Sequence, residues 1–156
     1  MSVSIVESKD VNIITMLNET VQNLHYEKYP EYFKAYNYEN IRKAIEELLA
    51  QDNWYSYIAY DDKKPVGYII FYVKEYKENP FRYSYKGIHI DQLSVIKEYQ
   101  KRGIGSLLMK KAEDKGNADK VSQLELTYWE KNTEAKDFYR KKGFEEGMHF
   151  VIKQKI

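Results

Sequence analysis

Residues able to do chemistry gather in one stretch. Gln100-Lys101-Arg102-Gly103-Ile104-Gly105-Ser106 places two cations and two glycines between an apolar run (Ile88, Ile90, Leu93, Val95) and an apolar-periodic segment with Leu107, Leu108 and Met109. Physically this reads as strand, anion-binding loop, helix. Glycines permit a sharp turn and a close backbone approach, and the first N–H groups of a helix lack partners and carry partial positive charge. A phosphate or pyrophosphate fits such a turn. Just upstream, strict alternation puts His89, Asp91, Leu93 and Val95 on one strand face, so that an imidazole and a carboxylate stand together, a pairing suited to moving protons. Glu75 is a weaker third base. His25, His89 and His149 are scattered without ligand spacing, so no metal site is expected. The absence of cysteine removes a thiolate nucleophile and a disulfide framework and suits a reducing interior.

The flanking pattern supplies the elements that must hold these groups. Val3, Ile5 and Glu7 alternate as a short strand, and Asp10 is placed to cap a helix over 11–25 with Val11, Ile14, Leu17, Val21 and Leu24 on one face. Pro30 breaks the aromatic segment 25–33, and Asn37 or Asn40 caps a second helix carrying Ile41, Ala44, Ile45, Leu48 and Leu49. Strands over 54–60 and 66–75 flank the polar turn 61–65 as a hairpin, and another strand covers 85–95. The helix opened by the glycine loop spans 103–115 and stops at Gly116-Asn117. Val121, Leu124, Leu126 and Tyr128 mark a strand, 132–142 a helix ending at Gly143, and 144–156 a last strand or hairpin. Strand runs beside β-α-β units imply a mixed sheet with packed helices, with a ligand crevice where neighbouring strands part.

Composition narrows the class. A chain of 156 residues with no linker-like stretch is most simply one domain. Its formal net charge of +1 offers no global attraction to nucleic acid or anionic membrane. No basic-then-apolar leader and no apolar run of about 20 residues is present, so a cytoplasmic protein is expected. The 16 tyrosines suit half-buried strands, wet interfaces or a substrate cleft, and exposed aromatic surface favours a homodimer.

In this setting Gln100-Lys101-Arg102-Gly103-Ile104-Gly105 resembles the acyl-CoA pyrophosphate loop of the GNAT acyltransferase superfamily. It follows Leu93-Ser94-Val95 and precedes a second block, Trp129-Glu130-Lys131-Asn132 through Ala135 to Phe138-Tyr139-Arg140-Lys141-Lys142-Gly143-Phe144, similar to the family's downstream half. The departure is Ile96-Lys97, where the family often has an acidic residue and a proline. The likeness implies an α/β (α+β) fold over 1–156: a mixed, mostly antiparallel sheet of about six to seven strands, about four helices, and a splayed strand pair forming the acyl-CoA cleft. It implies an N-acetyltransferase that moves an acetyl group from acetyl-CoA to a primary amine of a small molecule by direct attack in a ternary complex.

Residue roles follow from the same resemblance. Backbone groups of Leu93, Ser94 and Val95 would meet the pantetheine arm, and a backbone N–H near Val95 would polarise the thioester carbonyl. Gln100, Lys101, Arg102, Gly103, Ile104, Gly105 and Ser106 would hold the pyrophosphate, and Asn132, also placed as a helix N-cap, would touch the cofactor. Tyr139 would be the general acid, Asp91 the base acting through water, and His89 the second candidate base. Tyr29, Tyr32 and Phe33, with Trp54, would wall the acceptor site. Two other readings stay open, a protein or peptide N-terminal acetyltransferase and a CoA-binding regulatory module without chemistry. Nucleic-acid binding through interleaved Tyr and Lys is disfavoured by the near-neutral charge.

Overall fold

The computed structural model describes residues 1–155, and the chain forms two compact units, residues 1–126 and the segment from 127 on. The first unit contains β1 (Val3–Glu7), α1 (Val11–Lys28), α2 (Tyr38–Leu49), β2 (Trp54–Asp61), β3 (Lys64–Tyr76), β4 (Tyr85–Val95), α3 (Ile104–Asp119) and β5 (Gln123–Leu126). Its sheet runs in the order β1-β2-β3-β4-β5. The first four strands pair antiparallel, and β5 joins β4 in parallel after the crossover through α3. The second unit holds α4 (Thr133–Lys141). Among the described residues the chain is thus a mixed α/β fold with a five-stranded, mostly antiparallel sheet and four α-helices.

Local chemistry sets the helix starts. Asp10 Oδ1 accepts from the Ile13 N–H at 3.1 Å and Asn37 Oδ1 from the Asn40 N–H at 3.0 Å, so Asn37 and not Asn40 is the second N-cap. The sheet is covered on both faces. Ile58, Tyr68 and Ile70 meet Ile14 and Leu17 of α1 and Ile45 and Leu49 of α2 in one core cluster. On the opposite face lie Ile69 and Phe71, and α3 buries its Ile104, Leu108, Met109 and Ala112.

Three sequence expectations change. Helix α3 continues past Gly116-Asn117 to Asp119 and is closed by the C-cap Lys120, whose φ is +54°. Gly116 serves helix packing: a Cβ there would come 3.1 Å from the side chains of both Leu124 and Val121. β5 covers only Gln123–Leu126 within the expected 121–128. Finally, among the described residues there are five strands and not six or seven, and the last expected strand, 144–156, does not form over 144–155; Ile156 lies outside the described residues. A strand exists only through a paired neighbour, and the second unit has none to offer this segment. Its apolar side chains Met148, Phe150 and Val151 are accordingly exposed.

Close backbone approach dictates one glycine beneath the site. In β3, a Cβ on Gly67 would lie 2.9 Å from the Ser94 carbonyl oxygen, 3.2 Å from Val95 Cγ2 and 3.4 Å from Leu108 Cδ1. Since the nearest atom is backbone, Gly67→Ala is expected to cost about 1–3 kcal/mol as overpacking. Thermal unfolding followed by circular dichroism should show a drop of several degrees, and an unchanged midpoint would contradict the packing.

Candidate functional site

Strand β4 carries a β-bulge at the residue with the most to do. Pairing with β3 runs Ile69↔Leu93, Ile70↔Gln92 and then Phe71↔Ile90, which leaves Asp91 as the extra residue. The bulge changes the phase of the alternation. His89, paired with Tyr72, shares the α1/α2 face with Gln92 and Ser94, whereas Ile90, Leu93 and Val95 share the α3 face. The expected common face for His89, Asp91, Leu93 and Val95 is therefore corrected: one inserted residue puts His89 opposite Leu93 and Val95. On its other edge, β4 pairs with β5 only over Gly87–Ile90, from Gly87↔Gln123 to Ile90↔Leu126. Among the described residues no strand pairs with that edge over 91–95.

A buried polar chain leads to the bulge. Asn18 Nδ2 donates to the Tyr68 hydroxyl at 3.0 Å and to Gln92 Oε1 at 3.3 Å, and the Tyr68 hydroxyl donates to Gln92 Oε1 at 2.7 Å. Gln92 Nε2 in turn donates to Asp91 Oδ2 at 3.2 Å. Burial raises the Tyr68 phenol well above its ordinary value, so it remains a donor. Asp91 as a residue is exposed, yet the protein crowds its carboxyl. This desolvation raises its pKa, and the Gln92 hydrogen bond and the nearby His89 oppose the shift.

His89 sits at the other end of the bulge. Its ring stacks on Tyr72 at 5.1 Å, and Tyr72 stacks on Trp54 at 4.4 Å. Its Nδ1 is buried without a hydrogen bond, 3.7 Å from Glu125 Oε2. Asn18, Tyr68, Gln92 and Glu125 are the residues that sequence reasoning missed. The polar Asn18 inside the apolar stripe of α1 was a visible signal, but the meeting of Glu125 with His89 depends on the β4/β5 register.

The glycine loop has the geometry of an anion cradle. Gln100 Nε2 donates to the Val95 carbonyl at 2.9 Å and ties the loop to the end of β4. Lys101 and Gly103 have φ of +60° and +83°, both left-handed, a conformation that disfavours residues with a Cβ by about 1–2 kcal/mol. Gly103 is the N-cap of α3, and no side chain caps the helix. The first backbone bond is from the Leu107 N–H to the Gly103 carbonyl at 3.1 Å, so the N–H groups of Ile104, Gly105 and Ser106 precede the helical ladder. Nothing lies within 4 Å of where a Gly103 Cβ would be. Buried Ile104 and Leu108 hold this helix start on the sheet. The exposed Lys101 and Arg102 add charge, and Arg102 rests 5.0 Å above the Tyr99 ring, whose hydroxyl donates to Asp61 at 2.9 Å. An uncapped, glycine-entered helix start with open space before it and cations at its rim fits a pyrophosphate.

The remaining predicted residues are dispersed. Tyr29 and Trp54 are each only 8% exposed, and Trp54 belongs to the α1/α2 core and connects to His89 through the Tyr72 stack. Tyr32 is exposed, and Phe33 stacks on His25 at 4.6 Å. Burial lowers the His25 pKa. Glu75 is exposed and paired in register with Lys86. Ser94 is buried, with its backbone opposite Tyr68. In the second unit, Asn132 Oδ1 accepts from the Ala135 N–H at 3.2 Å as the α4 N-cap. Tyr139 lies among Tyr128, Phe138 and Phe144, with centroid distances of 6.2, 5.3 and 5.7 Å, and its pKa is pushed up by burial to about 12. Gly143, with φ +90°, ends the helix, and the Phe144 N–H donates back to the Tyr139 carbonyl at 3.0 Å.

Comparison with known proteins gives these features a family. Residues 18–144 match the Acetyltransferase (GNAT) family. Over 57 residues the chain is 40% identical to an uncharacterized N-acetyltransferase in the pepI 3' region of Lactobacillus delbrueckii subsp. lactis. That match covers 36% of this chain, and the chain spans about a third (33%) of that relative's length. Among solved structures, a point mutant of the BH1408 protein from Bacillus halodurans superposes with a TM-score of 0.89 at 18% identity, covering 100% of both chains. A putative acetyl transferase from Pyrococcus furiosus superposes with a TM-score of 0.73 at 21% identity, over 99% of this chain and 100% of that one. The aminoglycoside N-acetyltransferase AAC(6')-Iy in complex with CoA does so at 0.70 and 17% identity, over 99% and 95%. With the family pattern running through most of its length and the fold shared over whole chains, the chain belongs to the GNAT acetyltransferase family.

Proposed function

We propose that residues 1–156 act as one acyltransferase domain that transfers the acetyl group of acetyl-CoA to a primary amine of a small molecule, in the cytoplasm and without a covalent acyl-enzyme. The observation that carries this reading is the continuity of three features in a GNAT chain: a strand bulged at Asp91, an outer edge with no paired strand over 91–95, and the uncapped, glycine-entered start of α3. The family match runs through the boundary between the two units, which supports a single functional domain. A small-molecule acceptor is supported by the fold shared with AAC(6')-Iy, which has been solved with the bisubstrate analogue CoA-S-monomethyl-acetylneamine.

Acetyl-CoA brings an already reactive thioester, so the protein's task is alignment and proton handling. The N–H groups of Ile104, Gly105 and Ser106 bind the pyrophosphate, and Lys101 and Arg102 strengthen the hold. Backbone groups of Leu93 and Val95 hold the pantetheine arm as an added strand, and an N–H near Val95 orients the acyl carbonyl. The acceptor arrives as an ammonium and loses two protons in becoming an amide. His89 takes the first and releases it to solvent. Asp91 takes the second through water as the C–N bond forms and the C–S bond breaks, and desolvation, by raising its pKa, makes it a stronger base than an ordinary carboxylate. Tyr139, kept protonated by burial, supplies the proton for the departing thiolate. Tyr32 and Phe33 wall the acceptor, with Tyr29 and Trp54 supporting them from the core.

Incubation with acetyl-CoA and a panel of small amines should release free CoA in step with amide formation. Asp91→Asn and Tyr139→Phe are each expected to lower kcat by about 100-fold or more while leaving the KM for acetyl-CoA nearly unchanged. If both variants matched the wild type, the assigned roles would be wrong. Gly103→Ala should instead weaken acetyl-CoA binding by about 10-fold, the equivalent of roughly 1–2 kcal/mol of left-handed strain at the loop. Calorimetric titration with CoA reads this directly, and an unaltered Kd would remove Gly103 from the pyrophosphate site.

A further inference from the structure

Glu125 lies outside every sequence motif, yet it occupies a position that the fold prepares for a carboxylate. It is the direct register partner of His89 on the adjacent parallel strand, so both side chains leave the sheet on the same face. The Tyr76 hydroxyl donates to Glu125 Oε1 at 3.0 Å and lies 3.3 Å from Oε2, and the Tyr76 ring stacks on Tyr85 at 4.0 Å. On β4, Gly87 leaves room for the group: a Cβ there would stand 3.3 Å from Glu125 Oε1. The imidazole is held from the other side by the Trp54–Tyr72–His89 stack. The ionisable groups that face the His89–Glu125 pair are Tyr72, Lys74 and Tyr76 of β3 and Tyr85 and Asp91 of β4, with Tyr85 interacting with both Tyr76 and Glu125.

The placement of one ring atom decides the tautomer. Nδ1 of His89 is buried, has no hydrogen bond, and faces Glu125 Oε2 at 3.7 Å. A lone pair on Nδ1 would be buried against a carboxylate oxygen, whereas an N–H there faces the Glu125 carboxylate as an acceptor and needs a small tilt to close the 3.7 Å separation to hydrogen-bond length. A neutral imidazole with its proton on Nδ1 carries its lone pair on Nε2. The His89 side chain keeps 19% of its surface exposed, so the ring remains reachable.

We propose that Glu125 is a positioning residue that fixes His89 in the Nδ1–H tautomer and thereby presents Nε2 as the atom that takes the first proton from the acceptor ammonium. The inference rests on the acetyltransferase reading above, and its proton balance is the one given there: the proton leaves the ammonium for Nε2 and then passes to solvent. Glu125 itself touches no reacting atom.

The test joins a spectroscopic readout to kinetics. Long-range 1H–15N correlation spectra, with His89 assigned by His89→Gln, report which ring nitrogen carries the proton without requiring turnover. The wild type is expected to show the Nδ1–H form. Glu125→Val should shift the population toward Nε2–H, lower kcat by about 100-fold, the lower end of a general-base contribution, and move the acid limb of the kcat/KM profile. Glu125→Gln keeps an oxygen able to accept from Nδ1 and should retain both the tautomer and most of the turnover. An Nε2–H form in the wild type, or a tautomer indifferent to Glu125→Val in a folded protein, overturns the proposal. So does a Glu125→Val effect confined to the KM of the amine, which would make Glu125 a substrate contact. A tautomer that responds to Glu125→Val in a chain that acetylates no amine supports the positioning and counts against the acetyltransferase reading instead.

Discussion

The extra residue in β4 is the constraint on which the rest of the site depends. With Asp91 inserted between Ile90 and Gln92, the ladder to β3 skips a step and every later side chain of the strand changes face. The apolar residues on either side of the bulge then meet α3 together, and the polar residues Gln92 and Ser94 fall on the α1/α2 face. A bulge also bends and twists its strand. β4 leaves its partner β5 at the same place, since their pairing ends at Ile90↔Leu126. One backbone irregularity thus sets out a carboxylate without a ladder partner, frees the end of the strand and delivers the chain to the glycine loop.

Holding such a bulge requires buried polar groups, and these have a cost. An unsatisfied buried amide oxygen is worth about 1–3 kcal/mol against folding, and Asn18 Oδ1 is buried without a partner. The hydrogen bonds among Asn18, Tyr68 and Gln92 offset that cost and link α1, β3 and β4 at the level of the bulge. Polar residues that could have been apolar at these positions are consistent with a site whose stability is secondary to its geometry. On the same face the aromatic residues do a related job by stacking, which fixes ring planes more tightly than aliphatic packing would.

The loop and the bulge act on opposite ends of one short strand segment. Gln100 closes the distance between them by donating its side-chain amide to the last carbonyl of β4, and the left-handed Lys101 and Gly103 complete the turn in few residues. The uncapped start of α3 leaves its positive end unneutralised by the protein, whereas α1, α2 and α4 are each capped by an Asp or Asn side chain. That contrast within one chain is what the proposed pyrophosphate site at α3 rests on.

Much of this was determined by sequence alone. The order of strands and helices, the caps Asp10 and Asn132, the glycine turn and its family follow from local propensities and a short motif, because each is decided within a few residues of chain. The period-two reading of β4 failed at Asp91 because a bulge is chosen by the partner strand, not by the residues that form it. Likewise, the last strand read in the apolar residues after Phe144 does not form, since pairing, and not hydrophobicity, makes a strand. Only the tertiary structure could bring Asn18 to Gln92 across 74 residues and Glu125 to His89 by parallel register. A polar residue in an alternating strand announces which side it faces, but its partner depends on which strand lies beside it, and that is settled only when the sheet assembles.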